Sequence, residues 1–292
     1  MMPSARVSTV ASRWTGIAVL IAACCAASPA STHAADDAEL PRLLQTFVEE
    51  LVEITPGAGQ FPAELARAPL NAGDAPRIAV LTDAFAIARY EIPQNLYAAV
   101  MGANPSRWTG PRNSAEMMSW AEACEFCRKL TSLLRDAQLI AKTDEIRLPT
   151  EIEWEYCCRA GTTTAYSFGD AAQAPGDAGN KASLLDPYGW HTGNAAGNDP
   201  PVGALRPNPW GLYDVHGYLW EFCSDAWSES IAAEPSQQGE STPPEQVVIR
   251  GGSWKDAHDQ LTSASRRGFA ANGRDDAVGL RCIRARMPGD SN

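Results

Sequence analysis

The sequence predicts an α+β fold that is poor in regular secondary structure, and three observations carry that expectation. Two capping boxes, Ser119-Trp120-Ala121-Glu122 and Thr150-Glu151-Ile152-Glu153, open helices in the first half of the chain. Short apolar runs, Ile78 to Leu81 and Phe85 to Tyr90, have the length of strands rather than helices. After Gly161 the residues are dominated by Gly, Pro, Asn and Trp, and long helical or alternating patterns vanish.

The elements follow in order from the N-terminus. Arg6 and Arg13 precede an apolar run from Trp14 to Ala23, and small residues continue to Ala34. That pattern predicts a secretory signal over residues 1–34, since a span of the bilayer needs roughly 20 apolar residues. Cleavage after Thr32-His33-Ala34 is one exit. The other is a lipoprotein signal ending at residue 23, in which Ile21-Ala22-Ala23-Cys24 resembles a lipobox and Cys24 carries a lipid anchor. No later stretch is long and apolar enough to span. The expected location is therefore outside the cytoplasm, in a bacterial-type periplasm or cell envelope, or secreted.

Residues 35–47 read as a helical lead-in, with Leu40, Leu43, Leu44, Phe47 and Val48 at helical spacing. Val52 to Gly57 reads as a strand ending in a turn. Residues 59–76, rich in Ala, Pro and Gly, read as a loop before the two apolar strands. Pro93 and Gly102 punctuate a helix between them. Behind Ser119 one helical face carries Trp120, Ala123, Cys124, Cys127, Leu130 and Leu134. The helix opened by Thr150 buries Ile152, Trp154 and Tyr156 in part and stops near Gly161. Residues 229–245 are polar and Pro-rich and read as a surface insertion. No internal repeat and no break in composition divides the chain.

The formal net charge of −11 becomes −13 once Arg6 and Arg13 are removed. So acidic a protein is not a partner for nucleic acid or for anionic lipid surfaces. Six cysteines follow Ala34: Cys124, Cys127, Cys157, Cys158, Cys223 and Cys282. In an exported chain disulfides are the default, and 15 complete pairings exist. Cys124-Glu125-Phe126-Cys127 is a CxxC, but it lies on a helix face rather than at a helix start after a strand, and no second pair follows it.

A recognisable series of motifs runs through the chain. It begins with Tyr90-Glu91-Ile92-Pro93-Gln94 and Val100-Met101-Gly102-Ala103-Asn104-Pro105-Ser106, then Ser119-Trp120 with Phe126-Cys127. RLPTEIEWEY (147–156), SFGD (167–170), NPWGLYD (208–214), GYLWEFC (217–223), RGGSW (250–254) and GLRC (279–282) complete it. This order resembles the formylglycine-generating, or sulfatase-modifying factor, family over residues 48–286, leaving a 287–292 tail. The resemblance implies one domain related to the C-type lectin fold.

The resemblance also implies a site and exposes a departure. Enzymes of that family bind Cu(I) through two cysteines shortly after the GGS motif, because soft thiolates select that ion. Residues 251–263 here contain no cysteine, so no copper is expected. His258, in the same stretch, is a residue able to ligate a metal, although a lone histidine in a polar loop is ordinarily solvated. By the same resemblance Ca2+ would be held by Asp214, Gly217, Leu219 and Glu221, where two carboxylates and two backbone carbonyls supply hard oxygen ligands. A second family calcium site would begin at Asn194, with a shortened loop after it. Cys127 would pair with Cys282, Cys158 with Cys223 as a replacement partner, and Cys124 with Cys157. Ser253 and Arg266 align with cleft residues, and Trp220 and Trp254 are candidates to line the same cleft. The expected function is a non-catalytic, calcium-stabilised binding or structural domain for a peptide, protein or small-molecule ligand. The alternative is an oxidoreductase of the family acting without the copper-binding pair.

Overall fold

The lead-in forms helix α1 (Thr32–Glu49), longer at both ends than its apolar periodicity suggests. Leu43, Leu44 and Phe47 are buried along one stripe of it. Short strands β1 (Leu51–Ile54), β2 (Glu64–Arg67), β3 (Arg77–Val80) and β4 (Phe85–Ala88) follow. Helices α2 (Gln94–Met101) and α3 (Trp120–Asp136), strand β5 (Asp144–Arg147) and helix α4 (Glu151–Arg159) come next. After a long looped stretch come β6 (Trp220–Ala226), β7 (Gln246–Arg250), β8 (Arg266–Ala270), β9 (Val278–Gly279) and β10 (Ile283–Arg286). This computed structural model describes residues 32–67, 77–197, 199–229 and 244–287, with side chains from residue 39 onward. Residues 1–31 of the expected signal, with Cys24, and residues 288–292 lie outside the described residues, as does most of the 229–245 insertion.

The helix ends are those the sequence specifies. Pro93 precedes α2, and Gly102 closes it at φ 80°, its N–H donating to Ala98 O. Both capping boxes form: Ser119 and Glu122 satisfy each other's backbone groups at α3, and Thr150 and Glu153 do so at α4. On α3, Ala123, Phe126, Cys127, Leu130 and Leu134 are buried, while Trp120 and Cys124 are half-buried.

Two four-stranded sheets organise the rest. One has the order β1-β4-β10-β5, every pair antiparallel, so the first and last strands of the domain both flank β4. That double cover explains why β4 is buried at every position. The other has the order β8-β7-β6-β9, with β6 and β9 parallel. A small β2-β3 ribbon completes the set.

Two expectations need correction. Residues 59–76 are not all loop, because β2 lies within them and buries Leu65 and Arg67 on one face. Ala, Pro and Gly on either side of so short a strand mask its alternation. The second half is also less irregular than it reads. Strand β6 is buried on both faces for its first six residues, so it shows no alternation to find.

Buried charge ties α4 to β7. Arg250, fully buried, pairs with Glu155 at 2.8 Å and Glu151 at 3.2 Å. Arg67 and Arg159 add to Glu155 at 3.0 and 2.9 Å. Among the described residues, no helix is long and apolar enough to cross a membrane.

Candidate functional site

The site grows from the loop that delivers the chain into β6. Asn208 builds its first turn: the side-chain oxygen accepts from the N–H groups of Trp210 (3.0 Å) and Leu212 (3.1 Å), and the amide donates to Cys157 O (2.8 Å). Asp214 then takes a left-handed conformation, φ 61°, which a short polar side chain tolerates. Its Oδ2 accepts from Gly203 N at 2.8 Å, while its Oδ1 is buried without a hydrogen-bond partner. His216 anchors the turn, with Nδ1 on Leu261 O at 2.9 Å and Nε2 accepting from Ser167 N at 3.0 Å. Burial pushes its pKa down to about 4, which keeps the ring neutral.

Glu221, the first residue after Trp220 in β6, is fully buried. It receives Trp154 Nε1 at 2.7 Å and Arg281 Nη2 at 2.8 Å. A third carboxylate, Glu91, accepts from Leu219 N at 3.0 Å and from the Ser114 hydroxyl. Burial, then Glu221 and Asp214, hold the Glu91 carboxyl well above its usual range. Burial likewise pushes Asp214 up to about 6. Glu91, Asp214 and Glu221 therefore form a buried acidic cluster, with Arg281 as the cation that faces it.

These residues suit a divalent cation. An unpartnered buried carboxylate oxygen costs free energy that a cation would recover. Three acids facing a single arginine leave excess negative charge in the interior. Among the described residues no three Asp, Glu, His or Cys side chains converge as a metal site, so a bound ion would need backbone oxygens. Gly217 and Leu219, both expected as carbonyl ligands, lie between Asp214 and Glu221. Asn194 is instead engaged in its own turn, accepting from His191 N (2.9 Å) and donating to Gly189 O (3.0 Å).

The four cleft candidates do not converge on one point. Ser253, fully buried, donates to Asp256 Oδ2 at 2.5 Å, and Trp220 Nε1 donates to the same oxygen at 2.7 Å. Arg267 closes this cluster, 2.9 Å from Asp256 Oδ1 and 4.5 Å from the Trp220 ring centroid. Arg266 faces elsewhere: it pairs with Glu151 at 2.7 Å and lies over Trp227 at 4.2 Å. Trp254 lines a separate pocket with Trp108 and Tyr218. Glu91, Asp256 and Arg267 were not among the residues read from the sequence as site candidates. The signal for Glu91 was its place in the Tyr90-Glu91-Ile92-Pro93 motif, and for Asp256 its place in the stretch that lacks cysteine.

His258 lies in a 3-10 turn and offers its carbonyl to Tyr166. The sulfurs of Cys127 and Cys282 are 3.6 Å apart, in hydrogen-bond contact, and all six described cysteines are free thiols. Cys158 Sγ contacts Val215 O (3.4 Å) and His216 Nδ1 (3.9 Å), and no sulfur contact links it to Cys223.

Few helices, two short antiparallel-rich sheets and a loop-built site define a C-type-lectin-like α+β domain. Residues 37–286 match the sulfatase-modifying factor enzyme 1-like domain, and the chain belongs to that family. It is 26% identical over 235 residues to the chaperone protein LppX of Paenibacillus barcinonensis, covering 69% of this chain and 80% of that one. To the formylglycine-generating enzyme of Streptomyces coelicolor it is 32% identical over 157 residues, 50% of this chain and 49% of that protein. The chain thus spans about half the length of that enzyme. The fold is shared with Treponema denticola variable protein 1, at a TM-score of 0.62 and 23% identity over 81% of this chain and 95% of that one.

Proposed function

We propose that this chain is an exported, calcium-stabilised binding domain that does not generate formylglycine by copper chemistry. The observation that carries the calcium part is the Glu91–Asp214–Glu221 cluster, with its unpartnered Asp214 Oδ1 and single arginine. Asp214 and Glu221 would hold Ca2+ with the carbonyls of Gly217 and Leu219, and Glu91 would steady Leu219 through its N–H. The absence of cysteine from residues 251–263 supports the non-catalytic part, and so does the engagement of Ser253 and Trp220 by Asp256. The N-terminal leader supports export, with Cys24 or Ala35 as the first mature residue. A Paenibacillus relative named a chaperone suits a binding role.

Differential scanning calorimetry with Ca2+ and with chelator tests the calcium reading; an unchanged melting temperature refutes it. Incubation with a cysteine-containing peptide, with and without copper, tests the rest. Aldehyde formation would show an oxidoreductase of the family instead. We also propose the Cys127–Cys282 disulfide in the exported protein, supported by the 3.6 Å approach of the two sulfurs. Non-reducing peptide mapping should recover the two cysteines in one linked peptide.

A further inference from the structure

Trp254 faces a pocket of about 250 Å³ whose wall also includes Trp108, Glu116, Asp199, Tyr218 and Asp276. Three aromatic rings and three carboxylates share this wall. The volume leaves room for a small organic group.

The chain's own cations show how these groups treat positive charge. Arg107 lies 5.1 Å from the Trp108 ring centroid and 3.1 Å from Asp276 Oδ2. Lys255 lies 5.3 Å from the Trp254 ring and pairs with Asp276 and, at 2.6 Å, with Asp275. Each rim tryptophan therefore already carries a cation near its ring. Those two cations serve Asp275 and Asp276, and neither pairs with Glu116 or Asp199.

Glu116 and Asp199 have no ion-pair partner among the described residues. Glu116 is 3% exposed. Its Oε1 accepts from the N–H groups of Arg107 (2.6 Å) and Trp108 (3.0 Å), and its Oε2 is buried with no hydrogen-bond partner. Burial raises its carboxyl above the ordinary range. Asp199 is exposed, and the Tyr218 hydroxyl donates to its Oδ1 at 3.0 Å. An anion would be repelled here, and a neutral apolar group would leave Glu116 Oε2 stranded. A metal ion would need several oxygen ligands, and no such side-chain set converges among the described residues.

We propose that this pocket binds an organic monocation, an ammonium group seated against Trp108 and Trp254 with Glu116 and Asp199 as its counter-charges. This deepens the binding reading above by naming the ligand class of the cleft that contains Trp254. A lysine side chain of a polypeptide and a free alkylamine share that chemistry.

The test is calorimetric titration and tryptophan fluorescence on the full mature chain. The ligands are Nα-acetyl-lysine methylamide, n-butylammonium, the neutral Nα-acetyl-norleucine methylamide, and butyrate. Both ammonium compounds should bind, and the neutral and anionic ones should bind at least tenfold more weakly. Added salt should weaken the binding. Tighter binding of the lysine compound than of butylammonium identifies a polypeptide source, and equal binding a free amine. Asp199→Asn, at an exposed position, should weaken ammonium binding several-fold, and Glu116→Gln at least tenfold. Should Glu116→Gln fail to fold, Asp199→Asn decides. Norleucine binding as tight as lysine, no ammonium binding at millimolar concentration, or an unchanged affinity in Asp199→Asn overturns the proposal. The calcium-dependent melting temperature and the aldehyde assay are read on the same preparation, so their failure is separable from failure of ammonium binding.

Discussion

At Gly217 an added Cβ would come 2.3 Å from Leu261 Cδ2 and 2.5 Å from the Trp190 carbonyl, at φ 106°. Neither the space nor the backbone accepts a side chain, and the residue lies within the acidic loop itself. Gly217→Ala should therefore destabilise the fold by about 2 kcal/mol or more, measured by urea unfolding. The same loop shows what one sequence can disclose about a site. Asp214, Gly217 and Glu221 stand in two adjacent motifs and were readable together. Glu91 and Arg281 stand in other motifs, 130 and 60 residues from Glu221, and only the tertiary fold brings them to it. Asp256 was harder still, because an acid in a polar loop has the look of a solvated residue. Its four donors, two from Ser253 and one each from Trp220 and Arg267, are a tertiary fact. Arg266, read as a cleft residue, instead braces Glu151, which its alignment could not reveal.

Between elements, the contact of α4 with β7 rests on charge taken out of water. Removing one partner from such a network leaves the others uncompensated, which commonly costs about 3–5 kcal/mol. Arg250→Met should lose stability on that scale, read as a fall in the urea midpoint. Arg67 and Arg159, which also pair with Glu155, set its lower limit. The network also predicts a pH dependence. Burial alone would raise the Glu155 carboxyl, but Arg250, Arg67 and Arg159 outweigh it and hold the group below its ordinary value. A carboxyl whose folded pKa is depressed contributes its full stability above the unfolded pKa, about 4.3, and loses it as pH falls through the folded value. Melting temperatures should therefore fall steeply below about pH 4, and Glu155→Gln should show a shallower slope there. The elements themselves were unevenly legible. Capping boxes and terminal Pro and Gly marked α2, α3 and α4 in advance, because helix ends are specified by local hydrogen bonds. Strands β2 and β5 to β10 were not marked. Strands β2 (Glu-Leu-Ala-Arg) and β5 (Asp-Glu-Ile-Arg) carry charged residues in place of an apolar run, and β6 is buried on both faces, so neither composition nor alternation set them apart.

Across the whole molecule, the acidic cluster and the pocket share one segment of backbone. Leu219 gives its N–H to Glu91 on the cluster side, and it lines the pocket together with Tyr218. Ser114 also serves both, donating its hydroxyl to Glu91 and lining the pocket. Tyr218 is held at φ 130°, a conformation that costs a non-glycine residue of order 1–3 kcal/mol and persists only where its surroundings enforce it. Trp254 N–H on Tyr218 O (3.0 Å) and the Tyr218 hydroxyl on Asp199 supply that enforcement from the pocket side. An ion held by Asp214, Glu221 and the Gly217 and Leu219 carbonyls would supply it from the other. Two ligands that order one strained segment must favour each other, and the coupling is reciprocal, typically about 1–3 kcal/mol, or about 5- to 150-fold. Chelation should therefore weaken binding of Nα-acetyl-lysine methylamide by about fivefold or more, and saturation with that compound should tighten Ca2+ by the same factor. Calorimetric titration of each ligand in the presence and absence of the other measures both factors. Equal ammonium affinity with and without Ca2+ would mean that the two sites share a wall without sharing a conformational state.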